Sequence, residues 1–395
     1  MLINRTYCFL FFFSYIVVGV LGAFIESTIK VSFLDELIIA VFCGLLFLKI
    51  VKQHHISKKL AILLVTWVFF LIYSLLCSVT SNPAIFQGCL QQIKPFLLLF
   101  SLLEIKQHLA KKDKKIVYKL TKLLGFVLPV IAFVSRLDAD HSAFFVHMAN
   151  YGNLMMVTSL MFFYCSSKKK NDKILFVIFL FLGIFCLRSK YYGEVVAILF
   201  FIFLLKKEIK INLKYFICFG ILIFTMLVFS WGKVYTYYQG FNGEILARSA
   251  LYQTAFELAK DYFPLGSGFG SFADDASKVY YSPIYIKYGL SDIWGLSPFY
   301  SNYITDTYFP VVIGQFGVIG LIMLCMFYFF LFKQIPYSPK DRDDFTYVLS
   351  LCLLVIFIVE STAGSMFTSY LCIPYMLLLS DIINTNKKNS FSKEL

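Results

Sequence analysis

Apolar stretches of about 17 to 25 residues recur from one end of this chain to the other, the length a helix needs to cross about 30 Å of hydrocarbon. They fall at roughly 7–25, 33–50, 60–80, 83–103, 116–136, 144–165, 173–188, 191–205, 213–231, 308–332, 345–361 and 366–383. Barrel strands would be short and would alternate apolar with polar residues, which these runs do not. With 59% hydrophobic and 19% aromatic residues and a mean hydropathy of +0.76, the chain of 395 residues lies outside the range of soluble domains. The expected fold class is all-α, a polytopic integral membrane protein of about twelve transmembrane helices. The first run follows Arg5 but is long for a signal peptide and is succeeded at once by further spans, so it is expected to be retained.

A formal net charge of +13 could suggest nucleic acid, but the position of the charges accounts for it better. The segments after spans two, four, six, eight and ten, with both termini and with Lys119 and Lys122, carry about 26 of the 36 Lys and Arg; the opposite set carries about nine, with Lys94 inside a span. By the positive-inside rule both termini are expected to be cytoplasmic. No nucleic-acid partner is expected, and the lipid bilayer is the first one.

Three regions follow: 1–231 with spans one to nine, a large outer-face loop at 232–307, and 308–395 with three further spans and a basic tail. The loop carries "EILARSALYQTAFELAKDYF", whose apolar positions recur at helical spacing, so a helix lying on or near the membrane surface is expected. A glycine-rich turn, "PLGSGFGSF", comes next, then an aromatic stretch with Tyr280, Tyr281, Tyr285 and Trp294. Such rings stack on the apolar face of sugars, and these four are candidate sugar contacts. An interfacial aromatic belt would use the same side chains.

Two cations break the topology rule. In "CLRSKYYGEVV", Arg188 and Lys190 stand in a tight turn on the expected outer face. They either snorkel to delimit two short spans or hold an anion. The fourth span, "PAIFQGCLQQIKPFLLLF", puts Gln87, Gln91 and Lys94 on one stripe, suited to a protein-lined cavity or to a structural pairing of Lys94 with Glu360 or Glu194. Arg136, Arg188, Lys190 and Arg248 above Lys94 call for an anion. A polyprenyl diphosphate offers one at that depth, and the arginine fork suits phosphate. Among the outer carboxylates Asp306 is the candidate base, because it directly precedes the tenth span. The ten cysteines and five histidines show neither metal-ligand spacing nor a disulfide framework, so no metal or cofactor is expected.

The basic turn, the arginine helix before "PLGSGFGSF" and the closing "DTYFPVVIGQFGVIGLI" together resemble the O-antigen polymerase and O-antigen ligase superfamily, including Wzy-type capsule and exopolysaccharide polymerases. The likeness covers 187–321. Ser189 and Lys190 match that family's basic turn, Arg248 its loop arginine, and Gly317, Gly320 and Leu321 its closing motif. The resemblance implies a metal-independent, inverting transfer on the outer face, in which undecaprenyl diphosphate leaves a growing glycan as the glycan passes to another lipid-linked repeat unit. Arg188, Lys190, Arg248 and Lys94 would bind the diphosphate, and Asp306, Arg248 and Arg188 would be catalytic. A chain-length regulator and a flippase are the protein partners such a system admits. Many ligases of the superfamily carry His-Asn where this chain has Asp306 and Thr307, which puts a ligase-type histidine base in doubt. The alternatives are such a ligase and a flippase or transporter, which would show broken midplane helices and related halves.

Overall fold

The computed structural model describes residues 2–29, 33–137, 144–204, 245–335 and 345–394. All regular elements among them are helical. In chain order they are α1 (Leu2–Phe13), a π-helical turn (Ser14–Val20), α2 (Gly22–Ile29), α3 (Leu34–Gln53), α4 (Lys58–Cys77), α5 (Asn82–Ile105), α6 (Lys111–Leu137), α7 (Met148–Cys165), α8 (Lys170–Leu182), α9 (Ser189–Leu204), α10 (Ala247–Asp261), α11 (Asp275–Val279), α12 (Pro283–Lys287), α13 (Phe309–Gln334), α14 (Phe345–Thr362) and α15 (Cys372–Glu394). Four stretches, Lys58–Cys77, Asn82–Ile105, Lys111–Arg136 and Phe309–Gln334, are long and apolar enough to cross a membrane. The architecture is that of a helical membrane protein.

Several apolar runs are not single long helices. The first is interrupted by the π turn, and the seventh is a 13-residue helix ending in a 3-10 turn at Gly183–Cys186. The ninth, 213–231, lies outside the described residues. Run length reports apolar surface, and inside a bundle that surface can be buried by short or broken helices as well as by spans. α7 shows this: every residue from Tyr151 to Tyr164 is buried, Asn153, Thr158 and Ser159 included, so protein surrounds it. α4 is the contrary case, with Ile62 68% and Val65 69% exposed in an apolar helix, a face suited to lipid.

Buried polar groups are tied down between helices. Asp381 of α15, wholly buried, accepts from the Leu109 amide at 2.6 Å and the Tyr164 hydroxyl at 2.8 Å, with the Lys114 ammonium 3.8 Å away. A carboxylate in such a place requires this set of donors.

The expected amphipathic helix is α10, but its apolar face covers protein rather than membrane. Ala247, Ala250, Leu251, Ala255 and Leu258 are buried, and α10 packs along α13. An apolar stripe does not distinguish a lipid surface from a neighbouring helix; here the alanines let the two backbones approach closely. The glycine-rich turn then enters a break in α13. Gly317 has φ 60° and ψ −152°, and its neighbours Gly314 and Gln315 present carbonyls that accept from the Ser267 and Gly268 amides, both at 2.9 Å. Gln315 completes the joint by donating to the Phe272 carbonyl at 2.6 Å and to Asp274 at 2.8 Å. Burial pushes the Asp274 carboxyl up to about 6 against those hydrogen bonds.

A candidate anion site where five helices end

α9 begins where Leu187 takes a left-handed turn, φ 51°, which frees Arg188 and Lys190 to stand at the helix start. Cations are disfavoured there, because the unpaired amides already make a helix N-terminus positive. Each is therefore held by a partner from elsewhere in the chain. The Lys190 ammonium donates to Glu360, at the end of α14, at 2.7 Å. Arg188 Nη2 lies 2.8 Å from His147 Nε2, just ahead of α7.

The other two catalytic candidates meet directly. Arg248, in the first turn of α10, donates to the Asp306 carboxylate at 3.0 Å, three residues before α13. The pairs lie close together, because Lys190 is held by Glu360 while α10 and the residues just after Asp306 bond to the next two residues of α14. Desolvation, then Arg188, holds the His147 imidazole below the usual histidine range, with Asp306 pulling the other way. The Tyr252 hydroxyl donates to the Thr362 carbonyl at 2.9 Å and the Tyr308 amide to the Ser361 carbonyl at 3.1 Å, so the end of α14 is the common floor.

Not every sequence-derived site residue arrives here. Lys94 is bound to Asp35, 3.1 Å away, and to Glu36, both in the first turn of α3, so neither Glu360 nor Glu194 is its partner. Gln91, on the same stripe, donates to Asp275 of α11 at 2.5 Å. The polar stripe of α5 is thus a seam against α3 and α11 rather than a cavity wall. Tyr285 is fully buried, its hydroxyl 2.8 Å from both the Ala273 amide and Ser277 Oγ, and it has no surface to offer a sugar. Tyr281 is half-buried and donates to the Leu296 carbonyl. Tyr280 is exposed, and so is Trp294, at 66%, with its ring stacked 5.0 Å from Tyr300 and edge-on to Tyr303.

Three participants stand outside the site residues that the sequence singles out. His147 shows no metal-ligand spacing, yet it stands at the outer end of a span much as Asp306 does. In sequence Glu360 and Glu194 are possible partners for Lys94, and Glu194 is also one of the outer carboxylates. Glu194 is wholly buried, with its carboxyl against that of Glu360. Both stand out in sequence as carboxylates inside apolar runs.

The Lys190 pairing has a measurable cost of removal. Lys190→Met should destabilise the protein by about 3 kcal/mol, because buried Glu360 loses its counter-ion. Adding Glu360→Gln should restore most of the loss in detergent thermal unfolding. Equal damage in the single and double variants would show that the pair contributes little.

The site can hold an anion between Arg188 and Lys190, with the Arg248–Asp306 pair alongside. Its cationic surplus is smaller than the sequence suggests, because Lys190 and Arg248 each already face a carboxylate. Among the described residues no three His, Cys, Asp or Glu side chains converge as metal ligands. No protein-family model matches the chain, and comparison with curated proteins finds no match.

Proposed function

We propose that the chain is a membrane glycosyltransferase, a polymerase that joins undecaprenyl-diphosphate-linked repeat units of an O-antigen, capsule or exopolysaccharide. It would do so on the outer face of the cytoplasmic membrane, with about twelve spans and both termini inside. The observation that carries this reading is that Arg188, Lys190 and the Arg248–Asp306 pair stand at helix ends about the close of α14.

In the proposed reaction the acceptor hydroxyl oxygen attacks the anomeric carbon of the growing glycan from the face opposite the diphosphate. The carbon–oxygen bond to the diphosphate breaks as the new glycosidic bond forms, which inverts the centre. The hydroxyl proton passes to the Asp306 carboxylate, held in place by Arg248. Negative charge grows on the departing diphosphate, and Arg188 and Lys190 donate to its oxygens, a stabilisation that strengthens towards the transition state. Trp294 and Tyr280 remain as exposed rings for the glycan.

His147 gives the ligase reading a specific footing. A neutral imidazole beside Arg188 can take the hydroxyl proton in place of the histidine that the family's His-Asn pair supplies. The size distribution and lipid attachment of surface glycan, in cells with and without the protein, separates the readings. Loss of a polymerase leaves single repeat units on the carrier or the final acceptor. Loss of a ligase leaves full-length chains on the carrier; loss of a flippase traps repeat units on the inner leaflet, and either result removes the polymerase assignment.

A further inference from the structure

At the opposite, lysine-rich end of the molecule a cavity of about 370 Å³ opens where α3 and α5 end, α4 begins and α13 ends. Five basic side chains line it: Lys49, His55, Lys58, Lys59 and Lys106. The one carboxylate among its lining residues is Glu104. Lys58, Lys59 and Lys106 are exposed and Lys49 is half-buried, yet they come from the ends of separate helices to line one half-open space rather than a single helix face. Lys49 turns back to donate to the Glu104 carbonyl, and Lys59 lies 4.7 Å over the Phe330 ring. Bringing like charges together is unfavourable unless an anion sits among them.

A second cavity, about 260 Å³, adjoins the first between α4, α5 and α13. Lys59, Phe100 and Phe330 line both, with the Phe100 and Phe330 rings stacked 5.5 Å apart. Beyond Lys59 its walls are almost wholly apolar, including Trp67, Phe96, Met323 and Phe327, and it runs along α13 as far as Tyr308. One of its walls is α4, whose Ile62 and Val65 are exposed on the face suited to lipid. A basic chamber that opens into an apolar slot matches a molecule with a phosphate at one end and a hydrocarbon chain at the other.

We propose that the two cavities form one site for an anionic diacyl phospholipid, its phosphate among Lys49, Lys58, Lys59 and Lys106 and one acyl chain in the apolar slot. Basic pockets between membrane helices on the lysine-rich side recognise lipid phosphates in this manner. A zwitterionic lipid would bring its own ammonium into the lysine set and lose the advantage. Free phosphate would leave the apolar slot unused. The assignment is independent of the glycan chemistry proposed at the other end of the bundle.

The test is native mass spectrometry of the purified full chain in neutral detergent, titrated with phosphatidylglycerol or with phosphatidylcholine of the same acyl chains. Phosphatidylglycerol is expected to bind more tightly than phosphatidylcholine. Each lysine near a lipid phosphate contributes about a five-fold effect, so Lys58→Gln with Lys106→Gln should weaken phosphatidylglycerol about 25-fold and leave phosphatidylcholine unchanged. Lys111→Gln with Lys112→Gln, at exposed positions that do not line the cavity, should change neither. Equal binding of the two lipids, or a Lys58/Lys106 variant that binds like the parent, would overturn the proposal. Displacement of phosphatidylglycerol by inorganic phosphate alone would make this a free-anion site. Displacement by undecaprenyl phosphate, unaffected by the lysine changes, would give the slot to the carrier's tail; each result removes the phospholipid.

Discussion

Gly317→Ala should yield little folded protein, with a loss of more than about 4 kcal/mol. Two costs add at this position. The backbone pair φ 60°, ψ −152° belongs to a region that is essentially reserved for glycine, a strain of about 1–3 kcal/mol for any other residue. A Cβ there would also lie 2.4 Å from the Pro264 carbonyl oxygen and 2.7 Å from the Gly266 amide nitrogen, both backbone atoms that have nowhere to go. To relieve the clash the glycine turn would have to leave the break in α13. The Gly314 and Gln315 carbonyls would then lose the Ser267 and Gly268 amides, and the Ile319 amide would lose Pro264. Gly289→Ala is the matched control. It too has a positive φ, 68°, but open space around it, so only strain of about 1 kcal/mol applies. Membrane abundance and thermal unfolding in detergent read both. A Gly317→Ala protein no weaker than Gly289→Ala would refute the docking of the turn into the helix break.

Arg248→Ala and Asp306→Asn should each cut polymerisation by about 10³-fold while abundance stays near normal. The contrast is the informative part. The two side chains are 27% and 38% exposed, so their ion pair contributes under about 1 kcal/mol to stability. Loss of glycan length without loss of protein would therefore report on chemistry. Arg248→Lys keeps the charge but not the planar fork and should fall between the parent and Arg248→Ala. Glycan ladders resolved on gels, normalised to protein in the membrane, supply the measurement. Unchanged ladders in both variants would remove the pair from the site.

How far the sequence could be read depended on which physical signal each feature leaves in it. Apolar run length makes the helical, membrane-type architecture legible, because burial in lipid or protein demands it either way. The same signal does not say whether a run is one span or two short helices around a turn, as at Gly183–Cys186. Arg248 and Asp306 were singled out separately, by charge and by position, and the structure places them 3.0 Å apart although 58 residues separate them. Pairing across distant helices leaves no local pattern. Lys94 was therefore read towards the anion, whereas Asp35 and Glu36 hold it, and Glu360 takes Lys190 instead. The loop tyrosines look alike in sequence, yet Tyr285 is a buried strut and Tyr280 a surface ring, a distinction made by packing alone.

The joint between the glycine turn and the break in α13 bears on how such a protein can be re-engineered. The segment from α10 to Asp306 is not an insert clipped onto a finished bundle, because the bundle's own helix is completed by amides borrowed from that segment. A chimaera that swaps only the residues before α13, in the hope of importing a new glycan preference, would separate donors from their acceptors. The smallest exchangeable cassette runs on through Gly317 to Ile319, and any diversification of the loop has to travel with that half-helix.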